Sequence, residues 1–326
     1  MGSKKSTILV TGIGAIIGYG ILKSLGNARD NLTVIGLDKN QHIYSKGLCD
    51  VFIKKPEFED NVNEYIDFWN EIIIKYNITA IFPSIDIDIS FFNKHRAIFD
   101  KKIKLVLNDK DLIALCSDKL IFYDFLKKID KNYLIPTILP ISLEEAFEEL
   151  GNLPYILKPR NGSGSQGIIK IENKLDFEYW TKKNKNYLLQ KYVGSDSEEY
   201  TVGVFGLGDG NIHESIIILK RILSREGNTK QAKVVENINI LKATKELSKI
   251  LKPIGPTNFQ FRIDENKIYL LEVNPRFSSS NSLRTLFGYN DTKMSIEYFL
   301  ENKIPDKQNI KSGMAIRYLE DYLIQC

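Results

Sequence analysis

Cysteine, histidine, long apolar runs and blocks of one charge are all scarce in this chain, and each scarcity closes a class of function. The three cysteines, Cys49, Cys116 and Cys326, are odd in number and widely spaced. They offer neither a disulfide framework nor zinc-ligand spacing, and a reducing cytoplasm is the expected location. The three histidines, His42, His95 and His213, stand apart from one another. No Ser-His or Cys-His pair for nucleophilic catalysis is legible, nor a glutaminase nucleophile. No run of 18 apolar residues occurs, so no membrane-spanning helix is expected. Lys and Arg number 45 against 41 Asp and Glu, a net charge of +4 without long like-charge blocks. A nucleic-acid-binding stripe is therefore not indicated. The opening Met-Gly-Ser-Lys-Lys-Ser fits the loose myristoylation pattern, but a strand begins at Thr7 and a lipid anchor is not expected. What remains is ordinary for a globular protein: 326 residues, 43% hydrophobic and 26% charged, enough for two or three domains.

The chain opens with a short apolar, β-branched run from Thr7 to Val10. Thr11-Gly12-Ile13-Gly14-Ala15-Ile16-Ile17-Gly18 follows, then a helical pattern to Leu25 and a strand over 33–37 that ends at Asp38. Strand, glycine turn, helix, strand and acid form the opening of a mononucleotide-binding βαβ unit. The glycine spacing is GxGxxxG, one residue longer than the dinucleotide fingerprint. Two readings stay open here: an NAD-dependent oxidoreductase, or an α/β unit whose glycines only turn a strand sharply into a helix. Residues 61–75 read as helix, and 79–82 and 103–107 as strands. Asp86 and Asp88 follow a strand's carboxyl end, where open sheets place ligands, although helix capping accounts for at least one of them. The alternation predicts a doubly wound parallel α/β domain over residues 1–110.

A helix is expected from about Asp109, through Ser117-Asp118-Lys119-Leu120, and Pro136 and Pro140 mark an extended connection. Ser142-Leu143-Glu144-Glu145 resembles a capping box that opens a helix reaching Leu150. A strand over 155–159 contains Lys158 and leads into Arg160-Asn161-Gly162-Ser163-Gly164-Ser165-Gln166-Gly167, then a new strand over 168–171. Such a loop can fold over a triphosphate, its N–H groups facing anionic oxygens. The lysine precedes the glycines and no helix follows, so this is not the P-loop order; a flexible hairpin loop is the alternative. Gln190, Lys191, Tyr192 and Val193 end a strand and can supply edge contacts to a purine, with Glu199 as a carboxylate for a ribose. Residues 216–222 form an apolar strand carrying Lys220 and Arg221, and 224–233 a polar, cationic stretch. That stretch reads either as a loop over an anionic substrate or as solvated chain, and Arg221 beside it is the candidate contact for a substrate carboxylate. A helix over 241–251, a final amphipathic helix over 290–302 and a last strand or helix over 315–323 complete the pattern.

The densest chemistry lies between Asn258 and Arg276. Phe259 and Phe261 alternate with Gln260 and Arg262, Asp264-Glu265-Asn266-Lys267 is a polar turn, and Ile268 to Asn274 returns as a strand. Glu272 and Asn274 share one face of that strand. An odd-numbered loop would place Gln260 opposite Glu272; an even one would offset the pair. One carboxylate and two carboxamides make an all-oxygen set of the kind Mg²⁺ takes alongside water and phosphates. Arg276 follows, where a planar guanidinium can grip a phosphate. A solvated polar face is the other reading of Glu272 taken by itself.

In this order the pieces resemble the ATP-grasp superfamily, nearest the carbamoyl-phosphate-synthase-like and pyrrolysine-pathway-ligase-like carboxylate–amine ligases. The resemblance spans nearly the whole chain and is strongest in NFQFRI and LLEVNPRFSSS, from Asn258 to Ser280. It implies Gln260, Glu272 and Asn274 as metal ligands, Arg276 as the γ-phosphate contact, and Lys119 and Lys158 as phosphate-binding lysines. Asn161 to Gly167 becomes a glycine-rich flap, with Gly162, Ser163, Gly164, Ser165 and Gly167 over the nucleotide. Gln190 stands where a glutamate is usual at the adenine hinge, Lys191, Tyr192 and Val193 form that hinge, and Glu199 would hold the ribose. Gly203 stands where relatives often carry an acid. The implied architecture is α/β and α+β: a Rossmann-like domain over 1–110, one ATP-grasp lobe with the flap over 111–188, and a second with the metal-binding hairpin over 189–326.

The implied activity is an ADP-forming, C–N bond-forming ligase that uses ATP and Mg²⁺. It would join a small carboxylate, such as an amino acid or a sugar acid, to an amine or ammonia through an acyl phosphate. The alternative from another class is a nucleotide-binding sensor or partner subunit without ligase chemistry. The oxidoreductase falls to third, because the βαβ opening then becomes the N-terminal domain. A homodimer is the default assembly.

Overall fold

Alternating strand and helix patterns in the first third of the chain build a five-stranded, wholly parallel sheet in the order β3-β2-β1-β4-β5. Its strands are β1 Ser6–Thr11, β2 Leu32–Asp38, β3 Val51–Lys54, β4 Ile78–Phe82 and β5 Lys104–Leu105. The structure is a computed structural model that describes residues 6–57, 61–99, 101, 103–129, 132–162, 166–224, 227–318 and 320–323. Successive strand residues point to opposite faces. Leu9, Ile35 and Ile81 therefore pack against Trp69, Ile72 and Phe92 of the helices Val62–Lys75 and Asp86–Lys94. Ile8, Val10, Val34 and Phe82 pack on the other side against the helix Ile16–Ser24 and against Phe277 and Ile296 from the far end of the chain. The sheet is doubly wound, as expected, and β3 is an addition.

A second, antiparallel sheet has the order β6-β9-β7-β8, from β6 Thr137–Ile138, β7 Tyr155–Pro159, β8 Ile169–Ile171 and β9 Tyr187–Lys191. Ser142 caps the helix Leu143–Leu150 by accepting the Glu145 N–H at 3.1 Å. That helix and Lys174–Lys183 bury Leu143, Ala146, Leu150 and Phe177 against Tyr155, Leu157 and Leu189. The limit expected between residues 188 and 189 falls inside β9, whose pairing with β6 and β7 keeps all of 187–191 in this sheet.

The third sheet is antiparallel and seven-stranded, β15-β14-β10-β12-β13-β16, with β11 on β10. Its strands are β10 Glu199–Gly208, β11 Asn211–Ile212, β12 Ile217–Leu223, β13 Thr229–Val234, β14 Ile254–Asp264, β15 Lys267–Asn274 and β16 Met314–Ile316. Tyr200, Val202, Phe259, Phe261 and Leu270 form its core with Ile240, Ala243 and Leu247 of the helix Ile238–Leu251. Leu112 and Leu126 join the same core. The helices Lys110–Cys116 and Lys119–Ile129 thus pack on the large sheet, not in the small lobe to which the sequence assigned them. Part of the expected loop over 224–233 is strand β13, held between β12 and β16 with Thr229 and Ala232 buried. Buried Asn108 ties the first sheet to the third: its amide donates to Thr257 Oγ1 at 2.7 Å and its Oδ1 accepts the Ile254 N–H at 2.8 Å.

The β14–β15 hairpin meets its register by an unexpected route. Glu265 and Asn266 form a two-residue loop with φ of 45° and 68°, the signature of a type I′ turn. That even loop pairs Phe261 with Leu270 and would leave Gln260 opposite Leu271. A bulge intervenes: Leu271 has no partner, and Gln260 pairs with Glu272 and Asn258 with Asn274. The irregular edge is used, because the Leu270 N–H donates to the Tyr133 carbonyl at 2.7 Å.

Candidate active site

The polar face of the hairpin is built by pairing across strands. Glu199 lies opposite Arg262, Thr201 opposite Gln260 and Gln260 opposite Glu272, so five polar side chains line up on one surface. Asn274 Nδ2 donates to Glu272 Oε1 at 2.8 Å, which leaves the Asn274 oxygen as an acceptor. Gln260 is already engaged: its Oε1 accepts from Arg221 Nη2. Arg221, 4% exposed, also donates to Glu199 Oε1 at 2.7 Å, and Arg262 donates to Glu199 Oε2 at 2.9 Å. Both oxygens of Glu199 are thus occupied by guanidinium groups. The expected ribose contact and the expected substrate arginine form, in this state, one buried charge network.

The two lysines are held quite differently. Lys158 is 9% exposed, and its ammonium donates to the neutral Gln190 Oε1 at 2.9 Å. Burial pushes its pKa down to about 8, opposed by the negative charge of Glu272 and aided by Lys119. Gln190 Nε2 in turn donates to Thr137 Oγ1 at 2.8 Å. Lys119 donates to the Gly162 carbonyl at 2.6 Å, and its pKa too is lowered by burial, against Glu272, Asp86 and Asp118. The root of the glycine loop is stitched to the same corner: Arg160 Nε meets Asp118 Oδ2 at 2.7 Å, and Asn161 Nδ2 donates to the Ser117 carbonyl at 3.0 Å. Gly167 needs its missing side chain, having φ of +73° and Tyr187 Oη 2.7 Å from where a Cβ would sit. Ser163, Gly164 and Ser165 lie outside the described residues.

These groups border two joined clefts. The inner one, about 620 Å³ including its mouth, has Lys119, Lys158, Gln190, Glu272 and Asn274 at one end and Phe122, Tyr123, Leu134, Leu188 and Leu270 along its walls. Flat apolar walls with a few polar groups suit an aromatic base. The hinge differs from expectation. Gln190 lines this cleft, but Lys191, Tyr192 and Val193 do not. The Lys191 N–H already donates to the Pro136 carbonyl at 3.0 Å and the Tyr192 N–H to Pro154 at 3.3 Å. The Val193 carbonyl accepts from Arg262 at 3.4 Å.

The outer cleft, about 1350 Å³ including open space, shares Gly162, Glu272 and Asn274 with the inner one. Arg276, Arg221, Asn228, Ser278 and Ser279 line one side, and Ile16, Ile17, Ile85 and Asp86 of the first domain the other. Arg276 Nε donates to Asp86 Oδ1 at 2.8 Å across this gap. Asp88 does not face it: it is buried against Lys55 as a structural pair.

The comparisons with known proteins agree with this arrangement. The sequence model of a family described as "ATP-grasp in the biosynthetic pathway with Ter operon" matches residues 183–322. The N5-carboxyaminoimidazole synthetase of Staphylococcus aureus, complexed with ADP, superposes with a TM-score of 0.73 at 19% identity, over 95% of this chain and 82% of that one. Biotin carboxylase of Campylobacter jejuni superposes with a TM-score of 0.74 at 18% identity, over 95% and 74%. The ATP-grasp likeness thus covers the C-terminal 183–322 in sequence, and the fold of nearly the whole chain is shared with these two enzymes. The carbamoyl phosphate synthase large chain of Clostridium perfringens is 28% identical over 200 residues, 55% of this chain but only 18% of that enzyme.

The acid after the glycine turn is engaged locally. Asp38, the expected ribose acid of an oxidoreductase, accepts the Gly14 N–H at 2.7 Å and the Asn40 N–H at 2.9 Å. Among the described residues no three His, Cys, Asp or Glu side chains gather around one point. A cation here would have Glu272 as its carboxylate and Asn274 as an amide oxygen, with phosphates and water completing the shell, which fits Mg²⁺. Gln260 would have to offer the second lone pair of an Oε1 that already accepts from Arg221. Sequence reading missed Phe122, Tyr123, Leu134, Thr137 and Leu270 as walls; their only signal was apolar periodicity, which marks core and cleft alike. No helix among the described residues is long and apolar enough to cross a membrane.

Proposed function

We propose that this chain is an ATP- and Mg²⁺-dependent carboxylate–amine ligase acting on a small amino acid or sugar acid through an acyl phosphate. The observation that carries the reading is that Lys119 and Lys158 line an apolar slot whose Glu272 and Asn274 also line a wide polar cleft, with Glu272 acting on both ammonium groups. On this reading a base would take the slot, a triphosphate the junction, and a carboxylate with its nucleophile the wide cleft. A substrate carboxylate oxygen attacks the γ-phosphorus while the bond to the bridging oxygen breaks and ADP leaves. The amine then attacks the acyl carbon, phosphate departs and the amine gives up a proton. Lys158 and Arg276 take the charge spread over the transferred group. Bound at Glu272 and Asn274, Mg²⁺ would neutralise phosphate charge. Closure of the glycine loop would exclude water that otherwise hydrolyses the acyl phosphate.

Arg221 is reassigned from substrate contact to support of Gln260, and Glu199 to the same network. We place the limits of the three units at about residue 108 and after β9, with 110–129 packed on the third. The test is phosphate release over a matrix of small carboxylates and amines with ammonia included. Release that requires both partners supports ligation. Nucleotide binding by calorimetry with no release across the matrix would favour the sensor, and binding of NAD(H) alone would revive the oxidoreductase.

A further inference from the structure

Asp86 reaches Arg276 across 190 positions of sequence, and several contacts fix where it starts. Ser84, 1% exposed, donates from Oγ to the Thr11 carbonyl at 2.6 Å, and its N–H donates to Thr11 Oγ1 at 3.2 Å. Ile85 packs on Gly12 so closely that a Cβ there would lie 2.6 Å from Ile85 Cγ2. Gly12 also has φ of +58°, so the turn needs glycine twice over. The glycine turn therefore clamps the segment that carries Asp86, and Asn108 fixes the first sheet against the third.

Arg276 is a long side chain at a strand end. Its Nε is fixed by Asp86 at 2.8 Å and its Nη1 by the Phe277 carbonyl at 3.1 Å. Among the described residues Nη2 meets no acceptor. A guanidinium held by two of its three nitrogens presents the third in one direction, and this one borders the same cleft as Glu272 and Asn274. Asp86 is 52% exposed on its side chain, and its Oδ1 accepts from Arg276 at the cleft surface.

We propose that Asp86 is a positioning residue that aims Arg276 at the terminal phosphate of the nucleotide, making that contact depend on the first domain. The inference rests on the nucleotide reading above and goes beyond it, because it assigns the parallel domain a part in recognising the third phosphate. The experiment measures calorimetric affinities of full-length protein for Mg²⁺ with β,γ-imido-ATP and, separately, with ADP. Asp86→Asn is expected to lose roughly tenfold in affinity for the triphosphate, the scale of one charge-assisted contact, and to keep its affinity for ADP. Asp86→Glu should recover part of the loss. Arg276→Ala should show the same selective loss, and adding Asp86→Asn to it should cost nothing more.

Equal losses for both nucleotides, no loss for either, or full additivity in the double variant would overturn the proposal. Unchanged thermal melting of Asp86→Asn would set aside a folding defect; if it melts early, the Asp86→Glu comparison decides. Wild-type protein that binds neither nucleotide would sink the nucleotide reading, and this inference with it. Wild-type binding with an indifferent Asp86→Asn would sink this inference alone.

Discussion

Two groups of charge, one on the seven-stranded sheet and one anchored mainly on the four-stranded sheet, are treated in opposite ways. Around Glu199, every charge meets a charge: Arg221 and Arg262 each take one carboxylate oxygen, and Arg221 also holds Gln260. In the inner cleft two lysines rest on neutral oxygens, buried Lys158 on Gln190 and half-buried Lys119 on Gly162, with lowered pKa values. A buried ion with its counter-ion is complete and serves the fold. A buried ion offered only a carbonyl is disfavoured until an anion arrives. The difference separates structural charge from binding charge without reference to any relative.

The largest effect is expected where binding charge meets the metal face. Glu272→Ala should cut substrate-dependent ADP release by on the order of 10³-fold while the melting temperature holds, measured by coupled ADP assay and calorimetry. Retained turnover would remove Glu272 from the chemistry. Next, Arg221→Ala leaves Glu199 half-paired in the interior and should destabilise the protein by about 3–5 kcal/mol in urea unfolding. A mild effect there would erase the contrast drawn above.

Lys158→Met should do the reverse. Affinity for MgATP should fall by roughly ten- to a hundredfold, with no loss of thermal stability, because an ion that burial disfavours has been removed. The smallest effect is in pH. The folded pKa of Lys158 lies near 8, below its ordinary value of 10.5. Below pH 8 both folded and unfolded chains keep the proton and the burial penalty is felt in full. Between about 8 and 10.5 the folded chain binds fewer protons, so stability gains as pH rises. Nucleotide affinity should move the other way, weakening by up to about tenfold per unit above pH 8 as the ammonium is lost. Lys158→Arg, which stays charged, should flatten that limb in calorimetry from pH 6.5 to pH 9.5.

How much of this was legible depends on distance along the chain. Glu272 and Asn274 could be placed on one face by strand alternation, whereas Gln260 comes opposite Glu272 only through the bulge at Leu271, which the alternation did not reveal. Four of the five parallel strands were likewise readable, because each apolar run is bounded by its own turns; β3 Val51–Lys54 was not. Arg262 meeting Glu199, and Arg276 meeting Asp86, are pairings across 63 and 190 residues that no local pattern encodes. β13 was read as loop because Thr-Lys-Gln-Ala-Lys-Val is only weakly apolar; its strand comes from neighbours on both sides. The hinge N–H groups looked available at Lys191 and Tyr192 because nothing in the sequence says that Pro136 and Pro154 will reach them.

Leu271 also shapes how this chain can change over generations. On one side of it Ile268 and Leu270 turn inward, and on the other Val273 does, so even and odd positions exchange roles at that residue. An insertion of one amino acid at the Glu265–Asn266 tip would send the carboxylate to the wrong side unless the spacer were lost in the same event. Homologous hairpins should therefore differ in length by even numbers, or trade a residue at the tip for one beside the glutamate.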